Sequence, residues 1–594
     1  MTSEADYGRE PFVLVELVQQ RCGLRFGTSP CAATGTPKCY QTWASCKDRA
    51  NIDMTGSITW RFVKPNAGIL PLYAETGDDI ETNPIPLLVS VSTASAEINI
   101  GAQREGQSPL GIRAKCTVTL QDAPWDDHVG DFYLADRSGV RGAFWAKWRA
   151  RNAFYGGMMI RIYEGYRGQA LGSMQRRDYI LETVTGPDAG GRVTIEGSDP
   201  LRLAQLKDAQ FPRSTDIRLV SAIDASTAAV TVTVVDPADL SDAFGNTALR
   251  YLRVNSEIIA YSGQTLVSGS VYTLDGVRRG QLGTGAAAQS ADATAQRVGR
   301  YEASRGWEVA ADLIDAHTRI PAGYRDAAQW DDEGLNYLLT QRADRTIPAP
   351  QSVESLLGEL CQQFGFSIWW DERMQSIPLL PNRAPRETPT EISDTLEILA
   401  GSPTIDDDQD AQISRVAVYY APRSPLDFGK PENYRNLWLT IDGEIEAPAA
   451  ADAVRTLTIY ANWITRDGDA MRLAARLLLR FRLIPRYMSF AVDAKNRSLK
   501  LGDVLSVTTG AWVDVEGNPV QARWQVIKAE EVEAGHTLSL RLQSYAFIGR
   551  FGFIMAASAA DYDMATDEEK ATGCYMADAL TGLMPNGDEP YLIQ

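Results

Sequence analysis

Four of the chain's seven cysteines lie close together in a segment rich in glycine and proline, RCGLRFGTSPCAATGTPKCYQTWASCKDRANI (21–52). They are Cys22, Cys31, Cys39 and Cys46, separated by eight, seven and six residues. Thiolates bind zinc and iron–sulfur clusters, and two thiols can also form a disulfide. The first question for this chain is therefore which of these groups the four thiols hold.

The spacing of the four cysteines bears on that question. Zinc ligands usually come as tight Cys-x(2–4)-Cys pairs, and the segment has none. Two disulfides suit an oxidising compartment rather than the cytoplasm. An iron–sulfur cluster takes four thiolates and tolerates wide loop spacing. The pattern therefore favours an iron–sulfur cluster, with zinc, disulfides and four unlinked thiols as the alternatives.

The segment that carries these thiols is predicted to be mostly loop, because glycine and proline interrupt it at Gly23, Gly27, Pro30, Gly35 and Pro37. A loop that buries few apolar side chains needs a cross-link, such as a disulfide or a bound metal, to hold its shape. Nearby basic residues could offset the negative charge of a thiolate-bound cluster or form a solvated surface: Arg21, Arg25, Lys38, Lys47 and Arg49.

The other three cysteines have different surroundings. Cys116 alternates with apolar residues in KCTVTLQ, and Cys361 lies in the amphipathic stretch SVESLLGELCQQFGF. Both are predicted to be small buried hydrophobes. Cys574 is a lone thiol near the C-terminus with no local partner, and we expect it to be inert.

Length and charge limit the classes of protein. With 594 residues, 44% of them hydrophobic, the chain can bury several cores and form several domains. Its net charge of -18 argues against a protein that coats nucleic acid by neutralising phosphates, although an acidic channel would let a polyanion slide past. No apolar run reaches membrane-spanning length and no secretion signal opens the chain, so we expect a soluble protein made in the cytoplasm.

The hydrophobic pattern predicts an α+β, mainly β, multi-domain chain. Period-two alternation dominates, and helical spacing is confined to a few stretches such as DGDAMRLAARLLLRFRL (467–483). Similar layouts at 91–215 and 391–550 suggest a duplicated fold. The predicted units are 1–90 with the cysteine loop, the β domain 91–215, an inserted small β-sandwich or barrel at 216–302, an α/β module at 303–390, the β domain 391–550, and an extended arm at 551–594.

An aromatic and basic block, GAFWAKWRARNAFYGG (142–157), interrupts the β pattern. Aromatic residues interleaved with cations can form a platform for nucleic acid. In a chain this acidic, a short amphipathic helix that buries its aromatic residues and exposes its cations is the stronger prediction.

The sequence offers no catalytic signature. Only three histidines occur, His128, His317 and His536, in unrelated contexts, and no HExxH or GxSxG motif is present. Adjacent carboxylates such as Asp126 and Asp127 are expected to be solvated. The acidic run at 406–410 lacks the glycine and distal glutamate of a calcium loop. We expect the chain not to be an enzyme.

The order of several segments carries a resemblance to a known family. After the cysteine segment come FWAKWRARNAFYGGMMIRIYEG (144–165), DYILETVTGPDAGGRVTIEGSDPLRLA (178–204), FSIWWDE (366–372) and LKLGDVLSV (499–507). In this order they resemble the tail-tip, or baseplate hub, proteins of long non-contractile-tailed phages and gene transfer agents. The resemblance spans nearly the whole chain.

This resemblance implies a structural virion protein at the tail tip, assembled in the host cytoplasm. Such hubs are homotrimers that close the tail tube with two tube-like β domains per chain, here 91–215 and 391–550. Implied partners are the distal tail ring, the tape-measure protein and a central fibre or receptor-binding protein, with DNA in passage only. The insertion at 216–302 would be peripheral, in contact with fibres or the host surface.

Some members of the family carry an iron–sulfur cluster on four cysteines. The resemblance therefore implies a cluster, of the 4Fe-4S type, on Cys22, Cys31, Cys39 and Cys46, with zinc as the alternative. In one other member of the family the cluster belongs to a later part of the chain, so its N-terminal place here is a departure.

Two other functions are compatible with parts of the sequence. An adhesin or carbohydrate-binding tail protein would use the 216–302 insertion and the many aromatic residues. An iron–sulfur oxidoreductase would use the same four cysteines, but it should also show a nucleotide or flavin motif, and none is visible.

Overall fold

The structure is a computed structural model that describes most of the chain: residues 11–65, 84–100, 108–128, 130–137, 139, 141–166, 170–241, 249–383, 389–446, 454–493, 498–533, 537–545, 551–554, 560–566, 569–570, 573–575 and 592–593. It is mainly β, with 39% strand and 19% helix, which confirms the predicted fold class. Among the described helices, none is long and apolar enough to cross a membrane. Most of the predicted arm, 551–594, lies outside the described residues.

The first sheet has seven antiparallel strands and carries the cysteine loop at one end. In spatial order they are β2 (Gly56–Val63), β1 (Pro11–Arg21), β5 (Met159–Tyr166), β6 (Gln175–Thr185), β7 (Arg192–Ser198), β4 (Lys115–Gln121) and β3 (Leu88–Ala94). Helix α1 (Phe144–Arg151) packs its aromatic side chains into the same core. Strands from both sides of residue 90 share this sheet.

The insertion forms a second sheet around its own apolar core. Its strands, in spatial order, are β12 (Glu257–Tyr261), β11 (Arg250–Val254), β15 (Thr294–Ser304), β9 (Ile217–Leu219), β10 (Val230–Val234), β14 (Val271–Asp275) and β13 (Gly263–Ser268). The short helix α2 (Ala238–Ser241) belongs to it, and β15 also pairs with β16 (Ala343–Ile347). The long strand β15 thus joins the insertion to the next part of the chain.

Three helices form the centre of the described molecule: α3 (Gly306–His317), α4 (Ala327–Tyr337) and α5 (Val353–Phe364). Helix α5 begins after Ser352, whose side chain accepts from the amide of Ser355, and ends at Gly365 in the left-handed conformation. Short paired strands flank the helices: β8 (Gln210–Phe211) with β17 (Gln351–Ser352), and β18 (Phe366–Ile368) with β19 (Leu379–Pro381).

The C-terminal half contains a six-stranded sheet and a three-stranded one. The larger has the order β20 (Thr390–Ser393), β26 (Val504–Thr508), β27 (Ala522–Glu533), β28 (Thr537–Ser544), β25 (Arg486–Asp493) and β21 (Thr404–Asp407). The smaller has the order β23 (Tyr434–Ile441), β22 (Arg415–Pro422) and β24 (Thr456–Tyr460), and helix α7 (Asp467–Phe481) packs against it. The remaining elements are α6 (Gly443–Glu446), β29 (Phe551–Ile554), β30 (Gly573–Cys574) and β31 (Leu592–Ile593).

Several local predictions are confirmed. Strand β2 covers the stretch GSITWRFV, and α7 begins at Asp467 as its pattern indicates. Cys116 and Cys361 are buried in apolar cores. The domain boundaries and the duplicated fold stay predictions.

Candidate metal centre

The cysteine loop connects the two strands of a hairpin, and the hairpin holds both of its ends. Arg21, the last residue of β1, faces Gly56, the first residue of β2. A side chain at Gly56 would approach the Arg21 carbonyl to 2.9 Å, so only glycine fits this close pairing. The amide of Gly23 also donates to the Asp53 carbonyl at 2.8 Å. The loop is therefore closed at its base before any thiol takes part.

All four predicted ligands line one small cavity. Cys22 is buried, and the other three are partly exposed. Of the eight other lining residues, four are apolar, two carry amides and two are charged: Leu24, Phe26, Ala33, Ile52, Gln41, Asn51, Lys47 and Asp48. The structure thus brings together residues that are spread over 25 positions.

The thiols surround this cavity without meeting at one point. Within the residues that the structure describes, no three His, Cys, Asp or Glu side chains form a group tight enough to hold a single metal ion. The six cysteines whose side chains the structure describes carry free thiols, so none of them forms a disulfide.

Backbone hydrogen bonds fold the loop around the cavity. The amide of Cys22 donates to the Gln41 carbonyl at 2.7 Å, and Gln41 Nε2 returns a bond to the Cys22 carbonyl at 3.0 Å. Gln41 has a φ of 57°, an uncommon value for a residue with a side chain. Turns place Cys31, whose amide donates to Thr28 at 2.9 Å, and Cys46, whose amide donates to Trp43 at 3.3 Å.

The thiols influence one another electrostatically. The pKa of Cys39 is raised above its ordinary value, first by burial and then by the proximity of Cys46, Cys22 and Cys31. Thiolates that share a cavity repel, and a bound cation removes that repulsion. The arrangement therefore disfavours four free thiolates and suits a positively charged group among them.

Arg137 connects the loop to the rest of the first domain. Its Nη1 donates to the carbonyl of Lys38 at 3.0 Å, and its Nη2 donates to that of Cys39 at 3.1 Å. The same guanidinium pairs with Asp131, which is itself buried. Arg137 thus fixes the backbone at one of the predicted ligands, although it lies far away in sequence.

Tyr40, the residue after Cys39, lies between two guanidinium groups. The guanidinium carbons of Arg137 and Arg151 are 3.7 and 3.8 Å from the centroid of its ring. Two such close approaches fit only on opposite faces of the ring. This cation–π sandwich secures the loop to helix α1.

The basic residues predicted to surround the thiols have several partners. Lys47 lines the cavity, whereas Lys38 pairs with Asp136 at 2.9 Å. The guanidinium of Arg25 lies over Phe132, and that of Arg49 over Trp43. Of the five, Lys47 is the cation that the structure places in the wall of the cavity.

Helix α1 confirms the prediction for the aromatic and basic block in part. Phe144, Trp145 and Trp148 are buried as expected. The prediction that the cations are exposed is wrong for Lys147 and Arg151, which bind buried Asp127 at 2.9 and 2.6 Å. Burial alone would raise the pKa of Asp127, but the bonds from Arg151 and Lys147 lower it. Phe154 is exposed.

The described histidines and the acidic run at 406–410, considered for catalysis or metal binding, lie apart from one another. His128 contacts Asp126 on the surface, and His317 lies 3.9 Å from Asp312 with its pKa lowered by burial. His536 lies outside the described residues. In the acidic run, Asp407 pairs with Arg486, and Asp410 with Arg455.

The four cysteines thus form a ligand set suited to a thiolate-bound group. They provide four sulfur donors, apolar neighbours that strengthen electrostatic contacts, and one lysine, Lys47, beside Asp48. These residues fit an iron–sulfur cluster. Sequence reasoning identified the thiols but missed Arg137, whose position relative to the loop no local motif reveals.

Comparisons with known proteins add little to this site. No protein-family model matches the chain, and no curated protein matches it significantly. Among solved structures, the chain is similar to prophage tail protein gp18 from Listeria monocytogenes EGD-e. The match covers 78% of this chain and 90% of the gp18 chain, with 9% sequence identity and a TM-score of 0.34. A tail protein from Neisseria meningitidis MC58 matches 76% and 97% at 10% identity and a TM-score of 0.32.

The virion of a native gene transfer agent particle also matches, over 56% of this chain and 84% of that chain, at 12% identity and a TM-score of 0.30. Likenesses at this level establish neither a shared fold nor a shared function.

Proposed function

We propose that this chain is a structural protein of a phage-like tail, a homotrimeric hub that closes the distal end of the tail tube. The proposal rests on the segment order described above, in which the cysteine loop precedes the two β domains. The observation that carries it is the shared cavity of Cys22, Cys31, Cys39 and Cys46.

An iron–sulfur cluster on these four thiols would act as a structural staple. Bound there, the cluster supplies four iron–thiolate bonds and no reaction that the hub requires. The chain's own residues orient the loop: the hairpin closes its base, and Arg137 holds the Cys39 carbonyl. Cys22 directly follows β1, so a cluster would tie the loop to the first sheet.

The other proposed partners follow from the role of a hub. One face would meet the distal tail ring and the tape-measure protein, and the other a central fibre or receptor-binding protein. The net charge of -18 suits a passage through which DNA moves without binding. The protein would be located at the tail tip of the particle.

Anaerobic purification of the full chain tests the cluster. We expect a brown protein that contains iron and sulfide and loses both when Cys31→Ser and Cys39→Ser are combined. Cys361→Ala is the matched control, because Cys361 lies in a distant apolar core and should leave the colour unchanged. A colourless protein that binds zinc at the same four residues would refute the cluster and leave the hub intact.

The mass of the assembly tests the hub separately. Native mass measurement, or imaging of assembled particles, should show three copies at the tail tip. One copy in intact particles, or isolated glycan binding by 216–302 with no ring, would refute the hub and favour the adhesin.

A further inference from the structure

A cleft of about 390 Å³ opens where three parts of the chain meet. The inserted β domain supplies one wall through Leu282, Gly283 and β15. Strand β16 forms the floor, and the connection from β22 to β23 forms the opposite wall. Its lining includes four arginines and one aspartate: Arg300, Arg345, Arg423, Arg435 and Asp344. Sites of this size at domain junctions are typical of small-ligand binding.

Among the described residues, Asp344 forms no ion pair with the four arginines. Asp344 Oδ1 accepts from the amide of Ala303 at 2.7 Å, and its Oδ2 accepts from the hydroxyl of Thr465 at 2.9 Å. Both oxygens are therefore used to hold the walls together. Arg300 pairs with Glu302 at 3.2 Å and Arg345 with Glu359, so the positive charges of the cleft that no carboxylate pairs with, among the described residues, are those of Arg423 and Arg435.

The floor of the cleft contains a buried guanidinium. Arg345 is only 5% exposed and is held by Glu359 and by Gln351, whose Oε1 accepts from Nη2 at 3.0 Å. Its Nε has no hydrogen-bond partner, and neither does the buried Nε of Arg300. Buried N–H groups are normally bonded, so these two are unsatisfied donors.

The mouth of the cleft presents two further cations. Arg423 and Arg435 are exposed, and in the described part of the chain neither lies within ion-pair distance of an acidic side chain. Arg423 uses Nε to donate to the Tyr434 carbonyl at 3.0 Å, which leaves its terminal nitrogens available. The polar side chains of Asn462 and Thr346 add further groups to the lining.

The walls are in direct backbone contact. Gly283 has a φ of 82°, and a Cβ there would lie 2.5 Å from the Arg423 carbonyl. The loop of the insertion therefore packs against the residue that carries one of the two exposed cations. This contact fixes the width of the mouth.

We propose that this cleft binds a small polyvalent oxyanion, a phosphate or carboxylate group carried by a ligand. Guanidinium groups match the planar geometry of both anions and pair with them through two parallel bonds. The exposed cations at the mouth, Arg423 and Arg435, would attract the anion and donate hydrogen bonds to its oxygens. This proposal does not depend on the function proposed above.

Isothermal titration of the full chain with pyrophosphate and with citrate tests the site. We expect saturable binding of at least one probe that weakens as salt is added. Arg423→Ala and Arg435→Ala should each lower the affinity about tenfold, as expected for a lost charged hydrogen bond. Preference for pyrophosphate or for citrate identifies a phosphate-bearing or a carboxylate-bearing ligand.

Two further variants complete the test. Arg218→Ala is the matched control, because Arg218 is exposed on the same insertion, pairs with Asp216 and does not line the cleft. It should leave the affinity unchanged. Gly283→Ala should weaken binding by displacing a wall, with the folded state checked by thermal unfolding.

Some results would overturn the proposal. They are the absence of saturable binding of either probe, equal binding by Arg435→Ala and the unmodified chain, or Arg435-dependent binding of a short single-stranded DNA without binding of pyrophosphate or citrate.

Discussion

The cysteine loop, 22–52, and the inserted domain, 216–302, are stabilised in different ways. Every residue of the loop is described, and its only buried apolar side chains are Cys22 and Ala33. The insertion instead buries a cluster of thirteen described apolar side chains from its own strands and turns. Hydrophobic burial therefore stabilises the insertion, whereas the loop depends on polar anchors and, under the proposed function, on the group that its thiols would hold.

Because the two regions are stabilised differently, each should unfold in response to different changes. Treatments directed at thiols or at Arg137 should open the loop and leave the insertion folded. Changes to the core or the buried ion pair of the insertion should do the reverse.

Removal of the iron–sulfur cluster proposed above should have the largest effect. Treatment of the full chain with an oxidant and a chelator is expected to abolish amide protection throughout 22–52, a loss on the order of 10 kcal/mol by analogy with structural zinc sites. Hydrogen exchange measured by mass spectrometry checks this, with peptides from 216–302 as the internal control. Equal loss of protection in both regions would contradict the comparison.

The next effect is expected in the insertion. Glu257 is fully buried, and its two oxygens bind Arg279 at 2.6 and 2.8 Å. Glu257→Gln should destabilise the insertion by about 3–5 kcal/mol, because it leaves a buried guanidinium without a counter-charge. Hydrogen exchange of 216–302 measures the change.

The control for this variant is Asp216→Asn. Asp216 is exposed and pairs with exposed Arg218 at 3.3 Å, and surface pairs of this kind contribute little. The iron content of both variants should equal that of the unmodified chain. A loss of iron from Glu257→Gln would show that the two regions are coupled.

Loss of the Arg137 anchor should have a smaller effect. Arg137→Ala removes the bonds to the carbonyls of Lys38 and Cys39, and we expect it to destabilise the loop by about 1.5–3 kcal/mol. The measured quantity is the rate at which iron is released to a chelator. Arg141→Ala, a change at a nearby exposed arginine, should not alter that rate. Equal rates for both variants would refute the anchoring role.

The smallest effects should come from changes of pH, with the loop destabilised in base and the insertion destabilised in acid. Burial and the neighbouring thiols raise the pKa of Cys39 above its ordinary 9.0. In the metal-free loop, the protonated Cys39 thiol should therefore contribute fully to stability below pH 9.0. This contribution should be lost as the pH rises further. Cys39→Ser should remove that dependence.

Glu257 in the insertion should respond to acid. Burial alone would raise its pKa, but bonds from Arg279 and from the amides of Ala287 and Gly280 outweigh burial and lower the pKa below 4.5. The ionised Glu257 carboxylate therefore contributes to the stability of the insertion above pH 4.5, and this contribution is lost as the pH falls. Hydrogen exchange at pH 4 and pH 10 compares the two regions, and loss of the loop first in acid would contradict the assignment.

Local sequence patterns predicted strands and helices well where one side of the element is buried in a core. Alternation located β2, and three-and-four spacing located α7, because one side of each element meets a core. The same patterns misjudged Lys147 and Arg151, whose exposure depends on Asp127 from another segment. They also did not reveal that Glu257 and Arg279 would meet across the insertion.

The sequence by itself determined that the chain is mainly β and that four thiols lie in a loop with almost no core. Only the tertiary structure decided that these thiols share one cavity and that Arg137 holds their backbone. The cleft that unites Arg300, Arg345 and Arg435 was likewise visible only in three dimensions. The physical reason is that propensity and periodicity act between neighbours in the chain, whereas charge pairing and shared cavities depend on segments that only folding brings together.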